Sequence, residues 1–318
     1  MRRILLTTTF IVIASFALAQ EMISTGAANF LTLPTDARTA AMAGAGVALP
    51  GTGSAVFHNA ASVYSNDSVR GAASYTYSPW MRDFASGYSL HALSGFYKIN
   101  DRHAIVVGFR YFGYPSVEVE GASDLKPKEW AVDLGYAYRI MKGLSASVTL
   151  RYVKSSLGAV DSYNSADAFA FDIGVYYHHS FLQKGEWSAG VQLSNVGSKL
   201  SYLNSEESLP AVVRFGGAAS YPFHENHRLT LAADVACRLQ PSDVSAASFS
   251  LGAEYVLMDM LALRGGYHYG DEEKADYSYA TAGVGVSLYG ASVDFSWLFA
   301  DMDCTFRNSW WITLGYCF

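Results

Sequence analysis

From Val69 to the end of the chain, apolar residues alternate with small or polar ones in short stretches. A period of two predicts β-strands. Fourteen segments can be drawn, at about 69–78, 86–98, 102–113, 128–140, 143–156, 166–180, 186–196, 210–221, 227–238, 246–256, 259–269, 277–288, 290–299 and 308–318. The gaps between them alternate in length. Asn100-Asp101, Met141-Lys142, Leu257-Met258 and Tyr289-Gly290 read as tight turns, whereas 114–127, 157–165, 197–209, 239–245, 270–276 and 300–307 are longer. Short periplasmic turns alternating with longer outer loops predict an antiparallel transmembrane β-barrel of about 14 strands, with both its ends on the periplasmic side.

The two faces of each segment differ in kind. Trp130, Val132, Leu134, Tyr136 and Tyr138 alternate with Ala131, Asp133, Gly135, Ala137 and Arg139. Phe169, Phe171, Ile173, Val175 and Tyr177 alternate with Ala170, Asp172, Gly174, Tyr176 and His178. A charge facing lipid at mid-membrane costs about 2–4 kcal/mol, so the charged face is assigned to the lumen. The expected lumen set is Arg110, Asp133, Arg139, Arg151, Asp172, Arg214, Asp234, Arg238, Glu254, Arg264 and Asp294. With both signs on neighbouring strands, it reads as an internal ion-pair network or as a polar conduit. The last stretch places Trp310, Ile312, Leu314, Tyr316 and Phe318 on one greasy face, as a closing strand would, and Tyr316 and Phe318 are its expected barrel-assembly signal.

Residues 20–68 lack this alternation. Asp36 to Ala43 is rich in helix formers, with Pro34 before it and Gly44 and Gly46 after it, and Ser54 to His58 reads as a second helical turn before Asn59. Phe30, Leu31, Leu33, Met42, Val47 and Phe57 need burial, which points to a compact plug at the periplasmic mouth of a barrel spanning 69–318.

Composition agrees with this picture. The chain is 51% hydrophobic and only 16% charged, against roughly 25% in ordinary soluble domains. Lipid contact through alternating side chains accounts for both values. Met1-Arg2-Arg3, a greasy run and Ala17-Leu18-Ala19 describe a secretory signal peptide over residues 1–19, with cleavage near Ala19. The net charge of −6 argues against nucleic acid as a partner.

No catalytic constellation stands out, and no cofactor or metal is expected. Gly44-Ala45-Gly46 lacks a third glycine, and the adjacent His178 and His179 point to opposite strand faces. Asp271-Glu272-Glu273 reads as a solvated loop tip or a loose calcium site. Cys237, Cys304 and Cys317 have no metal-ligand spacing and form no disulfide framework. Gly216-Gly217 and Gly265-Gly266 mark either strand kinks or close packing. Pro79-Trp80-Met81 and Tyr114-Pro115 fall in outer connections, where Trp80, Met81 and Tyr114 could face a partner or the lipid headgroups.

The stretch Ala28-Asn29-Phe30-Leu31-Thr32-Leu33-Pro34-Thr35-Asp36-Ala37-Arg38, followed by Ala41-Met42-Ala43-Gly44-Ala45-Gly46, resembles the start of the PorV/PorQ family. Tyr77-Ser78-Pro79-Trp80-Met81-Arg82, Arg110-Tyr111-Phe112-Gly113 and Leu150-Arg151-Tyr152-Val153-Lys154-Ser155 are similar to further family stretches. Asn59-Ala60-Ala61 stands where relatives often have Asn-Pro-Ala. The resemblance implies a FadL-like barrel in the outer membrane of a Bacteroidota-type Gram-negative cell. It also implies a non-enzymatic subunit of type IX protein secretion that binds exported cargo and hands it on. The expected partners are outer-membrane lipid, a large translocon-type barrel or assembly machine, and secreted cargo. Two other readings stay open, an accessory subunit of another outer-membrane assembly or uptake machine and a FadL-like transporter of small hydrophobic molecules.

Overall fold

The computed structural model describes residues 27–82, 86–116, 126–156, 165–182, 184–202, 205–302, 304 and 306–318. The signal peptide expected over 1–19 lies outside the described residues. Fourteen strands form the barrel: β1 Gly71–Pro79, β2 Ser89–Lys98, β3 His103–Gly113, β4 Lys128–Met141, β5 Leu144–Ser156, β6 Ser165–Phe181 and β7 Gly185–Gly197, then β8 Val212–His224, β9 His227–Arg238, β10 Ala247–Leu257, β11 Leu261–Tyr269, β12 Tyr279–Leu288, β13 Ala291–Phe299 and β14 Trp310–Cys317. Each pairs antiparallel with its sequence neighbours, and β1 closes on β14 with Tyr77 opposite Ile312 and Ala72 opposite Cys317. Closure removes every open edge. A small ribbon that the alternation did not predict, Leu200–Ser201 paired with Glu206–Glu207, lies in the connection between β7 and β8.

Burial follows the pleat. In β6, Ala168, Ala170 and Asp172 face inward while Phe169, Phe171 and Ile173 face out. Leu134, Leu150, Phe169 and Leu251 stand exposed on the outer wall, where lipid rather than water is the matching solvent.

The turns sit within a residue or two of their expected places. Tyr289 (φ 50°) and Gly290 (φ 84°) make a two-residue turn of the kind that needs positive φ at both centres. The turn expected at Met141-Lys142 is instead Lys142-Gly143. Gly143 takes φ 85°, which a side chain at that position would resist.

Eight strands make a barrel that its own side chains can fill, whereas fourteen leave a bore. Residues 27–70 fill it. Helix α1 (Ala37–Ala41) packs on β12, β13 and β14, and α2 (Ala55–His58) packs on β2 and β3. Two 3₁₀ turns, Asn29–Thr32 and Ala60–Ser65, complete the segment. The sequence places it at the periplasmic mouth, and in the structure the segment runs from there along the bore. Leu31 meets β3 near the loop end, and Ala61 meets β5 at the turn end.

Candidate functional site

The plug segment is held mostly through its own backbone. Asp36 caps α1, accepting from Thr39 N at 2.9 Å, and its other carboxylate oxygen lies 2.5 Å from His58 Nε2. Burial would raise the Asp36 pKa. The charge and hydrogen bond of His58, with the Thr39 bonds, outweigh burial and hold the carboxyl well below the usual carboxylate range. This pair ties α1 to α2. The barrel wall then reaches for main-chain atoms. Thr313 Oγ1 accepts from Ala37 N at 2.8 Å, and Trp311 Nε1 donates to the Pro34 carbonyl at 3.0 Å. Thr281 donates to the Ala41 carbonyl, Ser188 to that of Ala48 and Ser145 to that of Ala61. Asp234 Oδ2 accepts from the amides of Gly46 at 2.8 Å and Val47 at 2.9 Å.

Asn59 is fully buried and serves three groups at once. Its Oδ1 accepts from Ala61 N, while Nδ2 donates to the carbonyls of Val47 and Val175. The end of the plug is therefore fixed to β6 by a side-chain amide.

Two ion-pair clusters line the bore. In the first, Arg151 Nε meets Asp133 at 2.5 Å and its Nη atoms grip Asp172 at 2.8 and 3.1 Å. Asp133 stands directly opposite Arg151 in register. Asp172 sits where the β6–β7 register shifts, and accepts from Asn195 N at 2.8 Å, with Asn195 at φ 61°. A bulge re-aims a residue of the strand that carries it, and here the extra residue lies in β7 and turns the Asn195 amide towards Asp172. Arg110, 3.5 Å from Asp133, donates to the Leu31 carbonyl and lies over the Phe57 ring, so this cluster also seats the plug.

The second cluster joins Arg38 of α1 to the wall. Arg38 donates to both oxygens of Glu254, at 2.8 and 2.9 Å. Arg264, opposite Glu254 in register, bonds Glu254 at 2.7 Å and Asp294 at 2.6 Å. At the turn end Arg139 donates to the Tyr64 carbonyl, lies over its ring and pairs with Asp67.

Glycines mark where the plug touches the wall. A Cβ on Gly190 would sit 2.1 Å from the Val47 carbonyl oxygen, and one on Gly266 would sit 2.5 Å from the Met42 carbonyl carbon. The Gly216-Gly217 and Gly265-Gly266 pairs lie in unbroken register, so neither is a kink, and one glycine of each, Gly216 and Gly266, provides close approach to the plug. Among the plug residues singled out from the sequence, Phe30 stacks on Phe112, Met42 packs against Gly252, and Gly44 takes φ 86°.

The expected partner-facing aromatics lie elsewhere. Trp80 is only 6% exposed, stacked on Phe306 at 5.6 Å and edge-on to Trp311 at 5.4 Å. It turns inward because the loop end of the bore offers a large aromatic ring more apolar burial than water does. Met81 is half-buried beside it, and half-buried Tyr114 donates to Glu129 at 2.6 Å. At the end of the chain, the Phe318 carbonyl accepts from the amides of Arg70 and Gly71, and Tyr316 and Phe318 are exposed on the outer wall. The Asp271 carboxylate accepts from Glu273 N, and the described residues contain no metal-binding group of three or more His, Cys, Asp or Glu.

Between plug and loop end a cavity of about 460 Å³ remains, lined by apolar Leu31, Phe57 and Trp80 and by polar Gln192, Arg214 and Arg238. The sequence pattern placed Arg214 and Arg238 in the lumen but showed neither the cavity nor Gln192. Only a signal of pairing could have marked Gln192, which stands opposite Arg214 in register.

In solved structures the fold has relatives among hydrocarbon channels. The chain is similar to the Pseudomonas putida toluene transporter TodX, with TM-score 0.61 and 12% identity over 89% of this chain and 98% of that one. It is similar to the Ralstonia pickettii toluene transporter TbuX, with TM-score 0.57 and 15% identity over 89% and 97%. A Pseudomonas aeruginosa FadL homologue gives TM-score 0.54 and 13% identity over 90% and 98%. At these identities the likeness concerns the fold. No curated protein matches the chain. The family described as type IX secretion system protein PorV matches residues 16–245, more than half of the sequence. On that match, and with a closed fourteen-stranded barrel of FadL-like fold, the chain belongs to the PorV family.

Proposed function

We propose that this barrel is a non-enzymatic subunit of the type IX secretion machinery in the outer membrane of a Gram-negative, Bacteroidota-type cell. In this role it binds exported cargo and passes it on. The observation that carries the reading is the PorV match over residues 16–245. The bore supports it. A plug fixed by main-chain hydrogen bonds along the barrel and by two buried ion-pair clusters is suited to a rigid binding subunit more than to a wide conduit. Lipid would contact the outer wall, and the partners would be other outer-membrane proteins and cargo. The chain would divide into a signal peptide over 1–19, a plug segment over 20–68 and the barrel over 69–318.

The test is purification of the tagged protein from its native membrane in mild detergent, with mass spectrometry of whatever accompanies it. Recovery with a giant translocon barrel, or with secreted proteins sharing a C-terminal domain, supports the role. Stoichiometric recovery with a different outer-membrane machine replaces cargo hand-over with another accessory role. Recovery alone, with a bound small hydrophobic molecule, would favour transport.

A further inference from the structure

The charges in the bore are nearly all answered by a partner, and the exceptions lie together. Among the described residues Arg214 of β8 and Arg238 of β9 make no ion pair and no hydrogen bond through their side chains, and both line the 460 Å³ cavity. They are diagonal neighbours on one face of the sheet, since Arg214 stands opposite Ala236 and Arg238 opposite Val212. Gln192, opposite Arg214 on β7, is buried with its Oε1 unbonded. Its amide can turn to present a donor to the same space.

Two carboxylates, Asp234 and Asp276, line the same cavity, and neither makes an ion pair or hydrogen bond with the arginines. Asp234 accepts from the Gly46 and Val47 amides through one oxygen, and its other oxygen has no hydrogen-bond partner, so neither oxygen bonds Arg214. Asp276 pairs with His268 at 3.0 Å, and Lys274, also on the cavity wall, donates to the Asp243 carbonyl. Two half-buried guanidinium groups that no carboxylate bonds keep their donors unused, and an oxyanion that both can grip would satisfy them.

We propose that this chamber is a binding site for a small oxyanion, a carboxylate or a phosphate, held between Arg214 and Arg238 with Gln192 as a further donor. The site is independent of the secretion role. It concerns a ligand inside the barrel, and neither reading requires the other.

The test is isothermal titration of the full-length mature barrel in detergent with succinate and, separately, with inorganic phosphate. Saturable binding of at least one is expected. Binding of succinate alone assigns a carboxylate site, of phosphate alone a phosphate site, and of both a general oxyanion site. Arg214→Gln should weaken it by about ten-fold or more, the scale of losing a charged hydrogen-bond donor. Because that variant alters a bore residue, Ala236→Glu provides a second one. It keeps both arginines, places a carboxylate between them, and should abolish binding while the barrel keeps its folded, heat-modifiable migration. No saturable heat with either anion up to about 10 mM, a very weak affinity, overturns the proposal. So does binding that survives Ala236→Glu unchanged.

Discussion

Arg151 holds two aspartates from the strands on either side of it, Asp133 and Asp172, with every group nearly or fully withdrawn from solvent. Replacing Arg151 by Met would leave both carboxylates without their cation, and breaking a buried pair from one side costs about 3–5 kcal/mol. Urea unfolding of the detergent-solubilised variant should show a loss of that size. Asp36 behaves differently because its stability is linked to pH. Its folded-state pKa is depressed, so the contribution is fully present above the unfolded value of about 3.9 and fades as pH falls towards the folded value. Asp36→Asn should therefore destabilise the plug at neutral pH, and its difference from wild type should shrink as the pH is lowered below about 4. Thermal unfolding across that pH range reads the difference, and a gap that stays constant would refute the linkage.

At the scale of the element, the plug and its seat fit backbone to backbone. Gly190→Val would drive a side chain into the Val47 carbonyl, 2.1 Å from where a Cβ would sit, and should unseat the plug. Planar-bilayer recordings should show larger conductance steps for this variant than for wild type. Gly217→Ala faces the opposite side of the wall, where the nearest atom to an added Cβ is 3.8 Å away, and should leave conductance unchanged. The strands and their faces were legible in the chain because a period of two, with charge confined to one side, is a local property. The seat was not. Which inward glycines would touch the plug depends on the path of residues 27–70 through the bore, and nothing local records that path. Trp80 was misplaced for the same reason. A loop tryptophan near a membrane surface reads as a partner contact or an interfacial anchor, and only the distant Phe306 and Trp311 make the inward position the better-buried one.

For the whole molecule, closure rests on β1 and β14, joined through six residue pairs from Ala72–Cys317 to Tyr77–Ile312 and by the Phe318 carbonyl, which accepts from Arg70 and Gly71. Removing Phe318 takes away that terminal clasp and the ring against Gly71. The expected outcome is a lower yield of heat-modifiable barrel in the membrane fraction at unchanged synthesis, and a normal yield would show that the terminal residue is dispensable. The strand count and the closed topology could be read from the chain because an even number of alternating segments with short and long gaps has few other solutions. The chamber could not. It is the space left over after plug, wall and loops have been packed, and no single stretch of sequence encodes a remainder.

The hydrogen bonds from Ala37 N to Thr313 and from the Trp311 indole to the Pro34 carbonyl join residues 276 and 277 positions apart. The plug segment is thus gripped by a strand that follows it by 276 residues in the chain. Until β14 is in place, α1 lacks its partners there, and the sheet that should enclose it is still an open ribbon. Contacts of such long sequence separation form late, because a large loop must close before they can contribute. The plug segment therefore has to be accommodated inside an unfinished wall, and β14 acts as a latch that both closes the barrel and holds its contents.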